Sequence, residues 1–183
     1  MDAGSWAGMT IIMKSLYLLR HGKSSWAEHG LSDKERPLAK RGLHDAPMMG
    51  ERFHSRAEHL DRVISSPAVR AHTTAQLFCE ACGFPAQDIE TESDLYFLGS
   101  GSIEDVILRQ DDQLRALMLA FHNPDITYFA NSFDADFRID NVPTSGLIKL
   151  TCDIAQWRDW SRGNTTFEYF DYPKNLSGEV IRE

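Results

Sequence analysis

The stretch LYLLRHGKSSW, residues 16–26, decides how this chain is read. Its aliphatic residues and Tyr17 predict a buried strand over residues 14–19, and the run stops abruptly at Arg20, His21 and Gly22. A strand ending in a cation and an imidazole either steps into solvent there or holds both side chains rigidly at the floor of a pocket. The rest of the sequence has to favour one of these.

The chain has 183 residues with a globular balance of apolar and charged side chains. That implies one domain, residues 14–183, with a sizeable hydrophobic core. Residues 1–13 read as a poorly ordered N-terminal extension, because Met9 or Met13 could equally start the domain. A net charge of -8 argues against a general binder of nucleic acid or of membrane surfaces, while leaving room for a local basic pocket. No run approaches the ~18 apolar residues of a membrane span. In TIIMKSLYLL, residues 10–19, Lys14 breaks the apolar run, Asp2 precedes it, and no small-residue cleavage site follows, so a cytoplasmic protein is expected. Cys79 and Cys82 have C-x-x-C spacing but lie inside a helical pattern with no second pair, so they and Cys152 read as buried apolar thiols.

Elements alternate along the chain. Residues 22–39 are polar and read as a loop. Leu43, Ala46, Met49, Gly50 and Phe53 recur at helical spacing, which Pro47 tolerates only near the first turn. RVIS, residues 62–65, is a short strand closed by SSP. A helix with an Ala68, Ala71, Ala75, Leu77, Phe78 stripe follows and stops at Gly83 and Pro85. Ser65 or Ser66 is its expected cap and Pro67 its first residue. Residues 103–108 read as a helix. LRALMLAFH, residues 114–122, fits a helix end or a strand; a buried strand from Ala116 is favoured because it repeats the first, an apolar run ending in histidine. GLIKLTCD, residues 146–153, is a further strand, and TTFEYFD, residues 165–171, an edge strand. This alternation implies an α/β sheet covered on both faces. Ligands in such folds bind at the carboxyl ends of strands, which brings His21 and His122 into one neighbourhood.

Arg20, His21, Arg70 and His122 gathered in a pocket would suit phosphoryl transfer. Guanidinium forks match phosphate oxygens and stay charged. A neutral imidazole held through one nitrogen is a nucleophile through the other, and a second histidine, protonated beside the phosphoryl group, would offset its negative charge. Taken singly, Arg20 also fits a surface arginine and Arg70, in SSPAVRAHTTA, an exposed helix start; a helix start beside a phosphate would add backbone donors.

RHGKSSW, ERPLAKRG, SSPAVRAHTTA and FHNP occur in that order. Together they resemble the histidine phosphatase superfamily, and within it the small SixA-like phosphohistidine phosphatases. The resemblance implies a three-layer α/β/α sandwich with a mixed, mainly parallel sheet, as in phosphoglycerate mutases. It implies His21 as the phosphorylated nucleophile, Arg20 and Arg70 as phosphate-gripping arginines, and His122 as the second histidine, without metal or other cofactor. Two departures stand out. Phe121 replaces the glycine usual before the second histidine, and Ala27 replaces the asparagine of the mutase branch. That branch also carries a glutamate general acid; the comparable stretch here, ESDLYFLGSGS, places Tyr96 and Phe97 near the expected position. Glu92 and Asp94 are weaker acid candidates, read mainly as a solvated strand end. A missing acid suits a phosphoramidate, whose leaving nitrogen is basic enough to take a proton from water.

Lys23 and Ser24 are candidate substrate contacts. Lys34, Arg36, Lys40 and Arg41 form a charge run at the expected pocket mouth, and Thr144 is a further neighbour or a turn residue. His29, His44, His54 and His59 read as surface, His72 as one helix face away from Arg70, and Trp157 and Trp160 as packing residues. The expected protein is a metal-independent phosphatase that removes phosphate from phosphohistidine on a signalling or phosphocarrier protein. The alternatives are a phosphatase of small monoesters and a catalytically silent module that binds phosphorylated partners.

Overall fold

The computed structural model describes residues 13–28, 30–96, 99–133, 138–177, 179 and 181. The expected extension up to residue 12, together with His29 and Phe97, lies outside the described residues. Met13, expected in the extension, opens the first strand. The elements run β1 (Met13–Arg20), α1 (Lys40–Ser55), β2 (Arg62–Ser65), α2 (Val69–Cys82), β3 (Glu90–Thr91), α3 (Gly99–Leu108), β4 (Ala116–Phe121), α4 (Asp125–Ala130), β5 (Leu147–Asp153) and β6 (Thr165–Asp171).

The six strands form one sheet in the order β3-β2-β4-β1-β5-β6. The pairs β2–β3, β2–β4 and β1–β4 are parallel, whereas β1–β5 and β5–β6 are antiparallel. Side chains alternate across a strand, and here the alternation sorts two cores. Leu16, Leu18, Leu117, Leu119 and Phe121 pack with Ile103 and Ile107 of α3 and with Ile126 and Phe129 of α4. Tyr17, Leu19, Met118 and Ala120 pack with Met49 and Phe53 of α1 and with Phe78 and Cys79 of α2. Helices cover both faces, which is why every residue of β4 is buried. Trp157 and Trp160 lie in the first core. Cys79 and Cys152 are buried free thiols, and Cys82 is half-buried. Among the described residues, no helix is long and apolar enough to cross a membrane.

The pattern read from sequence needs correction in places. The first helix starts at Lys40, so Pro47 lies inside it, beyond the first turn. Having no N–H, Pro47 forfeits one helical bond there. At α2 neither serine is the cap: the cap position is Ala68, and Pro67 precedes the helix. The Ser65 hydroxyl donates to the Ser66 carbonyl, and the Ser66 hydroxyl accepts from the Ala68 N–H at 3.3 Å, one residue before the helix. The two-residue β3 and the short α4 carry too little periodicity to be read in advance.

The α1–α2 contact is close at Gly50, where an added Cβ would lie 2.3 Å from the Phe78 carbonyl oxygen and 2.9 Å from Ala81 Cβ. Alanine ordinarily improves a helix by ~1 kcal/mol over glycine. At Gly50 the sign reverses: Gly50→Ala is expected to destabilise the fold by roughly 1–3 kcal/mol through overpacking, measured by chemical denaturation. A stabilised variant would contradict this helix–helix contact.

Candidate active site

The site begins where the two central parallel strands end together. The register pairs Arg20 with Phe121, and the His21 N–H continues it by donating to the Phe121 carbonyl at 3.1 Å. One step further the backbone leaves the sheet at His21 and His122, whose ring centroids are 5.0 Å apart. The Gly22 N–H donates to Thr74 Oγ1 at 2.8 Å, and that hydroxyl donates to the Arg70 carbonyl at 2.5 Å. This ties the loop after β1 to the first turns of α2. The same loop lies tight on α1: a Cβ on Gly42 would come within 2.5 Å of the Lys23 carbonyl oxygen.

Each imidazole is held through one nitrogen. His21 Nδ1 lies 2.7 Å from the Gly22 carbonyl, an acceptor only, so Nδ1 carries the proton and Nε2 keeps its lone pair. His122 Nε2 lies 2.8 Å from Ser66 Oγ, while its buried Nδ1 has no hydrogen-bond partner. Ser66 is thus one of the two serines that the sequence offered as the helix cap.

Burial pushes the His21 pKa down to about 4; the Gly22 hydrogen bond opposes this, and the charges of Arg70, Arg20 and Arg36 reinforce it. Burial also pushes His122 down to about 3, helped by His21, Arg70 and Arg20 and opposed by Asp33. Both rings are therefore neutral at pH 7 in the free protein. The protonated second histidine expected from sequence requires a bound anion to raise its pKa.

Three guanidiniums surround the pair. Arg20 donates through Nη1 to the Val142 carbonyl and to Asn141 Oδ1, the latter at 3.3 Å, and its buried Nε has no partner. Arg70, only 5% exposed, donates to the Asp33 backbone carbonyl and to Asp33 Oδ2 at 2.8 Å. Arg36 donates to Asp33 Oδ1 at 2.8 Å and to Ser24 Oγ at 2.5 Å, with its guanidinium carbon 3.2 Å from the centroid of the exposed Trp26 ring. Asp33 also accepts from the Tyr96 hydroxyl at 3.1 Å, and the Tyr96 ring meets His122 edge-on at 5.5 Å. Burial alone would raise the Asp33 pKa, but hydrogen bonds from Arg36 and Arg70 outweigh it and hold the carboxylate below its ordinary range.

Arg20, His21, Arg70 and His122 are thus brought together. Ser24 is buried and accepts from Arg36, and Lys23 is exposed on a neighbouring cleft. The Glu92 and Asp94 carboxylates pair with Arg109, each at 3.0 Å. Thr144 accepts from Arg41 at 3.3 Å. Sequence reading missed Asp33, the function of Ser66, and Ser145, whose N–H donates to the His21 carbonyl and whose buried hydroxyl has no partner. Asp33 had a signal in hindsight, three residues before Arg36 in the pocket-mouth run; Ser145 had none. Arg20 Nε, His122 Nδ1 and Ser145 Oγ are buried donors or acceptors around His21 without a protein partner, as expected of groups that meet a polar ligand.

Paired histidines and arginines where two parallel strands end make a basic pocket of the kind that suits an anion. Residues 16–131 match the model of the histidine phosphatase superfamily, branch 1, and the chain belongs to that family. An uncharacterised protein of Mycobacterium tuberculosis is 28% identical over 165 residues, 85% of this chain and all of its own length. A Salmonella choleraesuis protein named as a phosphoglycerate mutase, GpmB, is 36% identical over 104 residues, covering 56% of this chain and 45% of GpmB. Among solved structures, the protein histidine phosphatase SixA complexed with tungstate superposes with a TM-score of 0.75 at 21% identity, over 88% of this chain and 99% of SixA. A protein from Agrobacterium tumefaciens carrying the SixA name gives 0.71 at 27% identity, over 87% and 98%.

The two depressed pKa values set a stability window. A histidine neutral in the fold but ordinary in the unfolded chain makes the unfolded state bind more protons between pH 6.5 and about 4. That stability is fully present above pH 6.5 and is lost as pH falls through the window, at up to ~1.4 kcal/mol per pH unit for each ring. The melting temperature is expected to drop on acidification over this range, and His122→Gln to flatten the slope. An unchanged slope would mean that His122 is not held neutral by the site.

Proposed function

We propose that the protein is a phosphatase working through a covalent phosphohistidine on His21, and that its substrate is phosphohistidine on another protein. The observation that carries this reading is a neutral His21 with Nδ1 tied to the Gly22 carbonyl, 5.0 Å from His122 and flanked by Arg20 and Arg70.

In the first step the His21 Nε2 lone pair attacks phosphorus, and the bond from phosphorus to the leaving nitrogen breaks with its electrons going to that nitrogen. A proton from water completes the leaving group. Arg20 and Arg70 hold the equatorial oxygens. His122 Nε2 and the Ser66 hydroxyl share a hydrogen bond; with the serine as donor, the His122 proton sits on Nδ1, ready to be given to a phosphoryl oxygen. In the second step water attacks phosphorus, inorganic phosphate departs, and the electrons of the breaking bond return to Nε2. Lys23 adds positive charge at the mouth, and Ser24 acts by holding Arg36.

The choice of a phosphoramidate substrate is supported by the carboxylates. Asp33, which contacts Arg70, is kept ionised by its arginine partners and is a poor proton donor at neutral pH. Glu92 and Asp94 are occupied with Arg109. An alkoxide leaving group needs such an acid, whereas the nitrogen of phosphohistidine does not.

Rapid quenching with labelled phosphoramidate is expected to leave acid-labile, base-stable phosphate on the protein and none on His21→Ala. Label that survives acid would rule out a histidine nucleophile. Arg70→Ala is expected to lower kcat/KM by about 10²–10³, the loss of roughly 2.7–4 kcal/mol of charged donation in a dry site. Turnover of sugar phosphates well above that of phosphohistidine would instead assign a small-monoester phosphatase. Binding of phosphopeptide without phosphate release, unaffected by His21→Ala, would assign a silent binding module.

A further inference from the structure

Beside the histidine pair lies a cleft of about 810 Å³ that shares Arg20 and Lys23 with the site but is not lined by His21, His122 or Arg70. Its size falls in the ~300–1,000 Å³ range that takes a drug-sized ligand or a length of peptide, far more than one phosphoryl group needs. Two segments distant in sequence line it: α1, through Arg41 and Met48, and the stretch after β6, through Tyr172, Lys174 and Leu176.

The chemistry of these walls is specific. Met48, Pro143, Tyr172, Pro173 and Leu176 give an apolar lining, with Leu176 91% exposed. Lys23, Arg41 and Lys174 line the same cleft, and among the described residues neither Lys23 nor Lys174 has an ion-pair partner. Arg41 has Asp45, the one carboxylate lining the cleft among the described residues, at a loose 3.8 Å. Arg52 is already spent on Asp171 and the Tyr172 carbonyl. Basic groups gathered on one cleft of a chain with net charge -8 give a local field that attracts anions against the overall charge of the molecule.

We propose that this cleft docks an acidic polypeptide segment next to the phosphorylated residue of a protein substrate; the inference rests on the phosphatase reading above. A small-molecule pocket fixes its ligand with a few convergent buried donors. The most buried of the basic groups added by this cleft, Arg52, is instead committed within the protein, and the uncommitted cations are long, exposed side chains. Exposed cations of that kind steer and orient an extended anionic partner, while the apolar walls take its non-polar side chains. Arg20 joins the cleft to the histidine pair, so a chain lying in the cleft leads to His21.

Three substrates test this: a phosphohistidine peptide with Asp and Glu flanks, one of equal length with Ser and Gly flanks, and phosphoramidate, which has no flanks. Wild-type kcat/KM is expected to favour the acidic peptide over the neutral one by about tenfold at low salt, equivalent to ~1.4 kcal/mol. The preference should collapse at about 0.5 M salt, where screening is strong. In Lys174→Glu combined with Arg41→Gln, the ratio of acidic-peptide to phosphoramidate kcat/KM should fall several-fold. Equal rates on both peptides, or a ratio untouched by the double variant, would overturn the docking site while phosphoramidate turnover leaves the phosphatase reading standing. An aryl phosphate, run beside these three as a small-molecule control and processed faster than both peptides, would give the cleft to a small molecule and also overturn it. Failure of the wild type on all three substrates would remove the phosphatase reading, and this inference with it.

Discussion

Everything at the site depends on the parallel pairing of β1 with β4. These strands lie side by side at the centre of the sheet, and their register runs without a break from Ser15 and Ala116 to Arg20 and Phe121. Because parallel strands point the same way, both end at the same edge, and the residues just beyond the ladder are the two histidines. The alternation that sends Leu19 and Ala120 toward α1 and α2 places the next residues of the same parity, His21 and His122, on that side. There α2 presents Arg70 from its first turn. A slip of one residue between the strands would send one ring to the opposite face.

The second constraint is electrostatic. Arg20, Arg36 and Arg70 all push the pKa of His21 the same way, so positive charge is concentrated within an acidic molecule. Asp33 makes this concentration tolerable. Its carboxylate bridges Arg36 and Arg70 and takes a hydrogen bond from Tyr96, since a buried arginine left unpaired would be strongly destabilising. Asp33 therefore serves as a fixed counter-charge between the guanidiniums, and its arginine partners hold it ionised. Trp26, an exposed ring under the Arg36 guanidinium, closes the other side of that arginine.

Much of this was legible in the chain. The apolar runs before His21 and His122 announced two buried strands, and their boundaries in the structure, Met13–Arg20 and Ala116–Phe121, lie close to the sequence reading. Strand β2 and edge strand β6 fell where their composition put them. Elements that owe their existence to neighbours were not legible. Residues Glu90–Thr91 are a strand only because β2 offers them a partner, and Pro47 is tolerated in mid-helix because α1 is anchored on both sides of it by packing. Ser66 looked like a helix cap because a serine before Pro67 satisfies that local rule; its hydroxyl does accept from the Ala68 N–H ahead of the helix, but the fold also gave it to His122, which no local rule foresees.

The sequence by itself determined which chemical groups were present and which strand ends carried them: guanidiniums, imidazoles and hydroxyls at the close of apolar runs. That follows because hydrophobic period and chain-breaking residues are local properties. Only the tertiary structure decided which groups meet. The pairing of Arg70 with Asp33, the loss of Glu92 and Asp94 to Arg109, the orphaned Ser145 hydroxyl and the basic cleft between α1 and the segment after β6 all join residues far apart in the chain. Hydrogen bonds and fields depend on distance in space, and a linear pattern does not encode that distance until the sheet has set its register.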